Sequence, residues 1–406
     1  MNQLFKDQRL YFILASNMLS SIGSGISMIA IPWMLISRED GSVIYGYVTL
    51  ALTILMFFIT PSIGLLIDRF SRKNILHVVN FFGFISLVFF VYLGYRLGDY
   101  PIWYLISIYS IGSLYYTVFY PTMFAFCQEI FDKKHYKSIN GLLEIQSQAS
   151  TIMAGALASI LIGKIDLIWI IIMDAFSFGA AFFILLLVPY YQTFAPSSTR
   201  HSFFYQLAEG FLYMKQVPML FLFFMASFLP FIGVMMTNYL YPIYIHEVLE
   251  ADASVYGATS MMYSVGATLA GIILPLLLRT MNQYAAIILT FTSYLIGLLF
   301  LSLIPLVPIF LLMQILTGLG NAGTRVVRNS IMMAMIPTDK MGRVNSLFQL
   351  IGLAIRVGML LVFTNALTLI GSAYMLVLLC FLIFTAYIAM VISIKKMNSA
   401  VSASVT

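Results

Sequence analysis

A chain of 406 residues that is 61% hydrophobic and only 9% charged has about a third of the charged fraction of a soluble domain, which excludes a large water-soluble body. Its net charge of +6 is explained by membrane topology before any partner is invoked, so no nucleic-acid role is expected. Two cysteines, Cys127 and Cys380, offer neither a disulfide framework nor a metal-ligand spacing.

Apolar runs near the roughly 20 residues that a bilayer demands recur along the whole length. Twelve spans are expected, near 10–36, 43–66, 74–95, 102–126, 142–163, 167–189, 218–245, 255–278, 284–304, 309–331, 344–368 and 371–394. The first follows Lys6 and Arg9, is too long for a secretory leader and lacks a small-residue cleavage site, so it is expected to be retained. It carries Asn17 and Ser21.

Between spans two and three lies Gly64-Leu-Leu-Ile-Asp68-Arg69-Phe-Ser-Arg72-Lys73, the densest cluster of charge in the first hundred residues. A plain positive-inside loop explains its three cations, which anchor at headgroups, but not the acid among them. Gly64 permits close approach of helices, and Asp68 can accept hydrogen bonds from arginines or from a helix N-terminus.

Span four carries Tyr115 and Tyr116 and ends near Glu129. Span five opens at Glu144 and continues with Gln146 and Gln148, and span six holds Asp174, the acid most deeply embedded. Glu144 and Glu129 lie close to the loop lysines, which are their expected partners. The polar break 191–217, containing Pro196-Ser-Ser-Thr-Arg200-His201, separates an N-terminal half, 1–190, from a C-terminal half, 218–406. Its later part, Phe203 to Lys215, has amphipathic spacing suited to the cytoplasmic surface.

Span seven carries Asn238 and Tyr239. His246-Glu247-Val-Leu-Glu250 lacks the second histidine of a zinc helix and reads as a solvated helix end, so no metal is expected. Arg325 and Arg328, near the inner end of span ten, are expected at headgroups, with a place on the central path open to one of them. Arg356 lies about 18 Å into span eleven, beyond easy snorkelling.

Lysine and arginine crowd alternate loops, leaving only Arg38, Arg96 and Lys164 on the other side, which puts both termini in the cytoplasm and requires an even number of spans. An internal repeat accompanies this division: Ser138-Ile-Asn140-Gly-Leu-Leu-Glu144 resembles Arg343-Val-Asn345-Ser-Leu-Phe-Gln349. Two-half transporters place their substrate between such repeats.

The residues Gly64, Asp68, Arg69, Arg72 and Lys73, in the loop between spans two and three of a twelve-span chain, resemble the signature of the major facilitator superfamily. Ser20-Ser-Ile-Gly23-Ser-Gly25 with Ile31-Pro32-Trp33, Tyr241-Pro242, Gly318-Leu-Gly320-Asn321-Ala322 and Met341-Gly342-Arg343-Val344 are similar to its branch of bacterial macrolide-efflux and enterobactin-exporter-like proteins. The resemblance covers nearly the whole chain. It implies an all-α integral membrane fold, two six-helix halves, alternating access, protons as coupling ion and a monomer in the bacterial cell membrane. Two departures stand out. Branch members often carry an acid in span one where this chain has Ser24, and antiporters carry Gly-Pro in span five where this chain has Met153-Ala-Gly155-Ala156. Proton antiport therefore rests on analogy.

If protons are coupled, Asp174 or Glu144 is the candidate carrier; the alternative for Asp174 is a structural carboxyl capped by a hydroxyl. Arg356 meets either an anionic substrate group or a buried partner. Asn17, Ser21, Tyr115, Tyr116, Gln146, Gln148, Asn238 and Tyr239 make a candidate substrate cavity, each with interhelical hydrogen bonding as its alternative. Asp68 is expected to dock on the N-terminal end of span eleven, near Gly342 to Asn345, and latch the outward-open state; the matching second-half loop keeps Arg279 and lacks the acid. No nucleophile–base cluster points to an enzyme, and no phosphate-binding loop points to ATP, so no cofactor is expected. The expected function is secondary active export of amphipathic, drug-like molecules. The alternatives are a dedicated exporter of an anionic siderophore or metabolite, and a non-transporting receptor or assembly partner.

Overall fold

The computed structural model describes residues 4–190, 203–337 and 340–405. The segment Pro196 to His201, and the side chains of Asp68, Lys133 and Lys137, lie outside the described residues. The first half forms α1 (Gln8–Ile36), α2 (Gly41–Arg69), α3 (Arg72–Leu97), α4 (Ile102–Ile130), α5 (Tyr136–Leu161) and α6 (Leu167–Leu186). The amphipathic segment forms α7 (Phe203–Gln216). Beyond it come α8 (Pro218–Glu247), α9 (Ala253–Thr280), α10 (Gln283–Leu303), α11 (Val307–Met335) and α12 (Met341–Val405).

Ten of the described helices are long and apolar enough to cross a membrane. Two features bring the architecture to twelve spans. First, α5 carries Glu144, Gln146, Ser147, Gln148 and Ser150 along its middle turns, so composition alone undervalues it. Second, the 57-residue stretch Met341–Met397 would run to roughly 86 Å as one straight helix, nearly three times the ~30 Å hydrocarbon core. Gly371, at φ 76° and ψ 164°, breaks it in two, in a backbone region that glycine alone enters freely. The chain thus has the all-α, two-half architecture of twelve membrane helices.

Short polar side chains start several helices by taking an otherwise unpaired backbone N–H. Asp7 accepts from Arg9 N at 3.0 Å, Asp166 from Ile168 N at 2.9 Å and Asn282 from Ala285 N at 2.7 Å. Prolines 32, 61, 121, 230, 242 and 275 sit inside helices, as membrane helices tolerate because neighbours re-satisfy the freed carbonyls. The expected boundaries hold within a few residues for most spans. Among helix starts the largest shift is α5, which begins at Tyr136 because its polar first turns hide it from hydropathy; the C-terminal helix runs to Val405, well past the expected 394.

The described chain forms two compact units, one of α1–α6 with Ala251–Met261, the other of α7, α8 and the chain from Met262 onward. In the first unit α1 packs on α2, α4, α5 and α6, and α3 packs on α4 and α6. The α1–α6 seam is made of small residues. Ser16 Oγ donates to Ala181 O at 3.0 Å, and a Cβ at Gly23 would collide with Ser177 Oγ. Gly155 does similar work where α5 meets the start of α9: a Cβ there would stand 2.7 Å from the Gly257 carbonyl oxygen. In the second unit α10 lies on α11 and α8 lies on α12. Gly320 lets α11 touch the Tyr294 backbone, since a Cβ there would be 2.6 Å from Tyr294 Cα. Van der Waals contact of this closeness drives helix association where lipid removes the hydrophobic term.

Candidate functional site

A cavity of about 390 Å³ opens between α1, α4 and α5 of the first unit. Asn17, Asn140, Glu144 and Ser147 form its polar side, and Tyr120, Met123, Phe124 and Leu143 its apolar side. Helical spacing makes this wall. Asn140, Leu143, Glu144 and Ser147 recur at i, i+3, i+4 and i+7 along one face of α5, and Tyr120, Met123 and Phe124 at i, i+3 and i+4 on α4.

A hydrogen-bond chain fixes the orientation of Asn17. Its Nδ2 donates to Gln146 Oε1, Gln146 Nε2 donates to Ser150 Oγ at 2.9 Å, and Ser21 Oγ donates to Asn17 Oδ1 at 3.2 Å. Asn17, Gln146 and Ser150 are buried, so the chain is shielded from competing water and holds one arrangement. Glu144 is exposed to the cavity and accepts from Gln148 Nε2 at 3.1 Å. Tyr116 stacks on Tyr120 at 5.3 Å with the rings 11° from parallel, and its hydroxyl is 2.7 Å from Ser24 Oγ.

Of the residues singled out from sequence, Asn17 and Glu144 line the cavity, while Ser21, Gln146, Gln148 and Tyr116 stand one hydrogen bond or one ring stack behind it. Tyr115 turns elsewhere: its hydroxyl donates to Asn80 Oδ1 at 3.3 Å and its ring meets Phe178 edge-on at 4.5 Å. Tyr120, Asn140 and Ser147 were not singled out. Their signal was available, since each falls three or four residues from Tyr116 or Glu144.

Asp174 is not in the cavity. It is 3% exposed in the α1–α6 seam, where a Cβ at Gly23 would lie 3.2 Å from its Cα. Its polar neighbours are the hydroxyls of Ser27 and Ser177, and Ser177 Oγ donates to the Asp174 carbonyl at 2.7 Å. Carboxylate oxygen Oδ1 makes no hydrogen bond among the described residues.

In the second unit Asn238 is exposed, Tyr239 is buried and Arg356 is half-buried. Arg328, expected either at the headgroups or on the central path, is only 6% exposed, lies 4.6 Å from the Phe228 ring centre and reaches the Ser227 carbonyl at 3.4 Å. It forms no ion pair with a described carboxylate.

The charged loop also departs from expectation. Around Gly64 a Cβ would meet nothing within 4 Å, so the described packing does not need a glycine there. Arg69 is exposed, as an anchor should be, but Arg72 and Lys73 turn inward. Arg72 Nη1 donates to Ala125 O at 3.0 Å and pairs with Glu129 Oε2 at 3.4 Å. The Glu129 side chain is only 2% exposed, so its partner is this arginine. Tyr190 adds a hydrogen bond to Glu129 Oε1 at 2.9 Å, and burial pushes the Tyr190 phenol above its ordinary range. Lys73 Nζ donates to Val188 O at 2.7 Å and Leu186 O at 3.3 Å, capping the carbonyl end of α6 where the helix dipole favours a cation. The loop therefore ties α3 to α4 and α6. At the N-terminus, Arg9 beside Asp7 holds that carboxyl below the usual carboxylate range.

Comparison with known proteins gives a match to the Major Facilitator Superfamily model over residues 13–357. An uncharacterized MFS-type transporter of Bacillus subtilis (strain 168), YfiS, is 22% identical over 222 residues, 53% of this chain and 52% of that protein. The chain therefore matches about half the length of that relative. Among solved structures, a bacterial homologue of the iron transporter ferroportin in an inward-facing state aligns with TM-score 0.72 at 15% identity, covering 95% of this chain and 98% of the other. The nucleoside transporter NupG gives 0.71 at 14%, covering 96% and 100%. An auto inhibited POT family peptide transporter gives 0.73 at 12%, covering 96% and 97%. At such identities the structures establish likeness of fold alone.

Proposed function

Because the chain belongs to the Major Facilitator Superfamily, we propose that it is a secondary active exporter of amphipathic, drug-like molecules, of the macrolide-efflux or enterobactin-exporter kind, driven by proton entry across a bacterial cell membrane. The observation that carries this reading is the cavity between α1, α4 and α5. An aromatic and apolar wall opposite one carboxylate and oriented amides suits a ligand with a lipophilic body and a polar or cationic end. Glu144 and Asn17 bind the polar end, and Tyr120 and Phe124 take the body.

The chemistry required is a change of preference between two states. Substrate and proton each stabilise one state over the other, and only that difference moves the equilibrium. Asp174 is the proposed proton carrier, since a membrane-embedded carboxyl without an ionic partner is expensive unless it serves such a cycle. Asp68, with Arg69, Arg72 and Lys73 positioning its loop, is the proposed latch on the first turn of α12.

A second reading, a dedicated exporter of an anionic siderophore or metabolite, draws support from buried Arg328, which has no ion pair among the described residues, and from half-buried Arg356. One panel separates the two: cells expressing the chain, tested for efflux of ethidium, chloramphenicol and an anionic catecholate. Glu144→Gln is expected to raise the half-saturating ethidium concentration about tenfold and to leave chloramphenicol within about twofold. Efflux of the catecholate alone, lost on Arg356→Ala and untouched by Glu144→Gln, would replace the first reading by the second. Binding without flux of any compound would make the chain a receptor.

A further inference from the structure

Within the first unit the proposed proton carrier and the cavity stand apart. Ser27, a neighbour of Asp174, is ten residues along α1 from Asn17 in the cavity wall, roughly 15 Å of helix. A proton held at Asp174 therefore needs a route to the cavity.

The residues in between carry hydroxyls. Ser20, Ser24 and Ser27 fall at i, i+4 and i+7 on one face of α1, and none is more than 3% exposed. Neither Ser27 Oγ nor Asp174 Oδ1 has a hydrogen bond among the described residues, which leaves their lone pairs open to a passing proton. One turn nearer the cavity, Ser24 Oγ is 2.7 Å from the Tyr116 hydroxyl, and either oxygen serves as donor. A group that hands protons on must both give and accept them, as hydroxyls do. Tyr116 and Tyr120 stack on each other along α4, and the Tyr120 hydroxyl has Ser21 and Ser147 as polar neighbours. Tyr120 and Ser147 line the cavity. The two rings face different carboxyls: Asp174 acts electrostatically on Tyr116, and Glu144 on Tyr120.

Among the described residues the titratable groups that feel Asp174 are Tyr115 and Tyr116 of α4. From α1 the neighbour is a serine. Helix α3, also packed on α6, sets His77 against Phe182, about two turns from Asp174. The Tyr115 hydroxyl is given to Asn80, so Tyr116 is the way onward.

We propose that Ser24 and Tyr116 are proton-relay residues: with Ser27 and Tyr120 they form a chain of hydroxyls from the Asp174 carboxyl to the Glu144 carboxylate in the cavity. This rests on the reading of Asp174 as proton carrier. Asp174 gives its proton to the first hydroxyl, each hydroxyl accepts one proton and releases its own, and Glu144 takes the last. Asp174 ends as carboxylate and Glu144 as carboxylic acid. Every serine and tyrosine is restored, so no charge stays on the chain between them.

The test uses proteoliposomes of the full chain, with a pH-sensitive dye trapped inside. Substrate-coupled proton movement and substrate counterflow are measured on one preparation, with ethidium or whichever panel compound the cells expel. Ser24→Ala and Tyr116→Phe are each expected to slow proton movement about a hundredfold, the low end of what a positioned proton-transfer group contributes, and to slow counterflow much less. Tyr116→Phe keeps the ring that stacks on Tyr120 and removes only the hydroxyl. The double variant should be no slower than the slower single one, because one broken link already stops the chain. Proton movement and counterflow falling by the same factor would make both residues structural and overturn the relay. Losses that multiply in the double variant would also overturn it. Wild-type proton movement in both single variants, with Asp174→Asn still uncoupled, overturns the relay and keeps the carrier. Coupling left intact by Asp174→Asn removes the carrier, and the relay with it.

Discussion

Replacing Asp174 by asparagine is expected to abolish the response of transport to a pH gradient while leaving exchange of substrate down its own gradient within about twofold of wild type. Asparagine keeps the shape of the side chain and removes the exchangeable proton. The carboxyl sits in a seam closed by Gly23 and Ser177, with Oδ1 lacking a hydrogen bond among the described residues. A purely structural carboxyl, capped by the Ser27 or Ser177 hydroxyl, would behave otherwise. The asparagine form would then keep its pH response, and the change would appear only as altered thermal stability. Counterflow and pH-driven uptake, measured on one preparation of vesicles, distinguish these outcomes.

Gln146→Leu is expected to damage both affinity and stability. Leucine fills nearly the same volume but can neither accept from Asn17 Nδ2 nor donate to Ser150 Oγ, the two bonds Gln146 makes. Leaving buried polar groups unpaired costs about 1–3 kcal/mol, which a fall in unfolding midpoint of the purified protein would report. The freed Asn17 amide then loses its fixed direction at the cavity wall. KM for a cavity-bound compound should rise about tenfold with kcat changed less, the pattern of lost ground-state binding. Gln146→Glu separates the two effects, because it preserves an acceptor for Asn17. A normal KM in Gln146→Leu would mean that the amide chain serves packing alone.

Much of the fold was legible because a bilayer imposes a length on every apolar run, and the lysine and arginine count independently demanded an even number of spans. The amphipathic spacing from Phe203 likewise anticipated α7. Hydropathy failed at the candidate cavity. The first turns of α5 are polar because they line a cavity and bond to α1, so the span appeared to begin six residues late. The positive-inside rule counts charges without seeing their partners, which is why Arg72 and Lys73 read as headgroup anchors. Glu129 and the carbonyl end of α6 draw them inward. For Arg328 the distance from the helix end fitted both a snorkelling and an inward side chain, and Phe228 and Ser227 are what hold it inside. Asp174 was conspicuous as an acid within an apolar run, whereas its separation from Glu144 and the cavity depends on which helix face meets α1. A single sequence does not encode that directly.

The most direct test of the exporter reading is accumulation in proteoliposomes. Purified protein is reconstituted, a pH difference of one unit is imposed with the vesicle interior acidic, and uptake of whichever probe the cells expel is followed with and without a protonophore. For one-for-one exchange of a neutral compound, such a gradient sustains about a tenfold concentration ratio. The expected result is accumulation approaching that ratio in wild type, abolished by the protonophore and absent in Asp174→Asn. Equilibration to equal concentrations whatever the gradient, or binding with no uptake, would contradict proton-driven export.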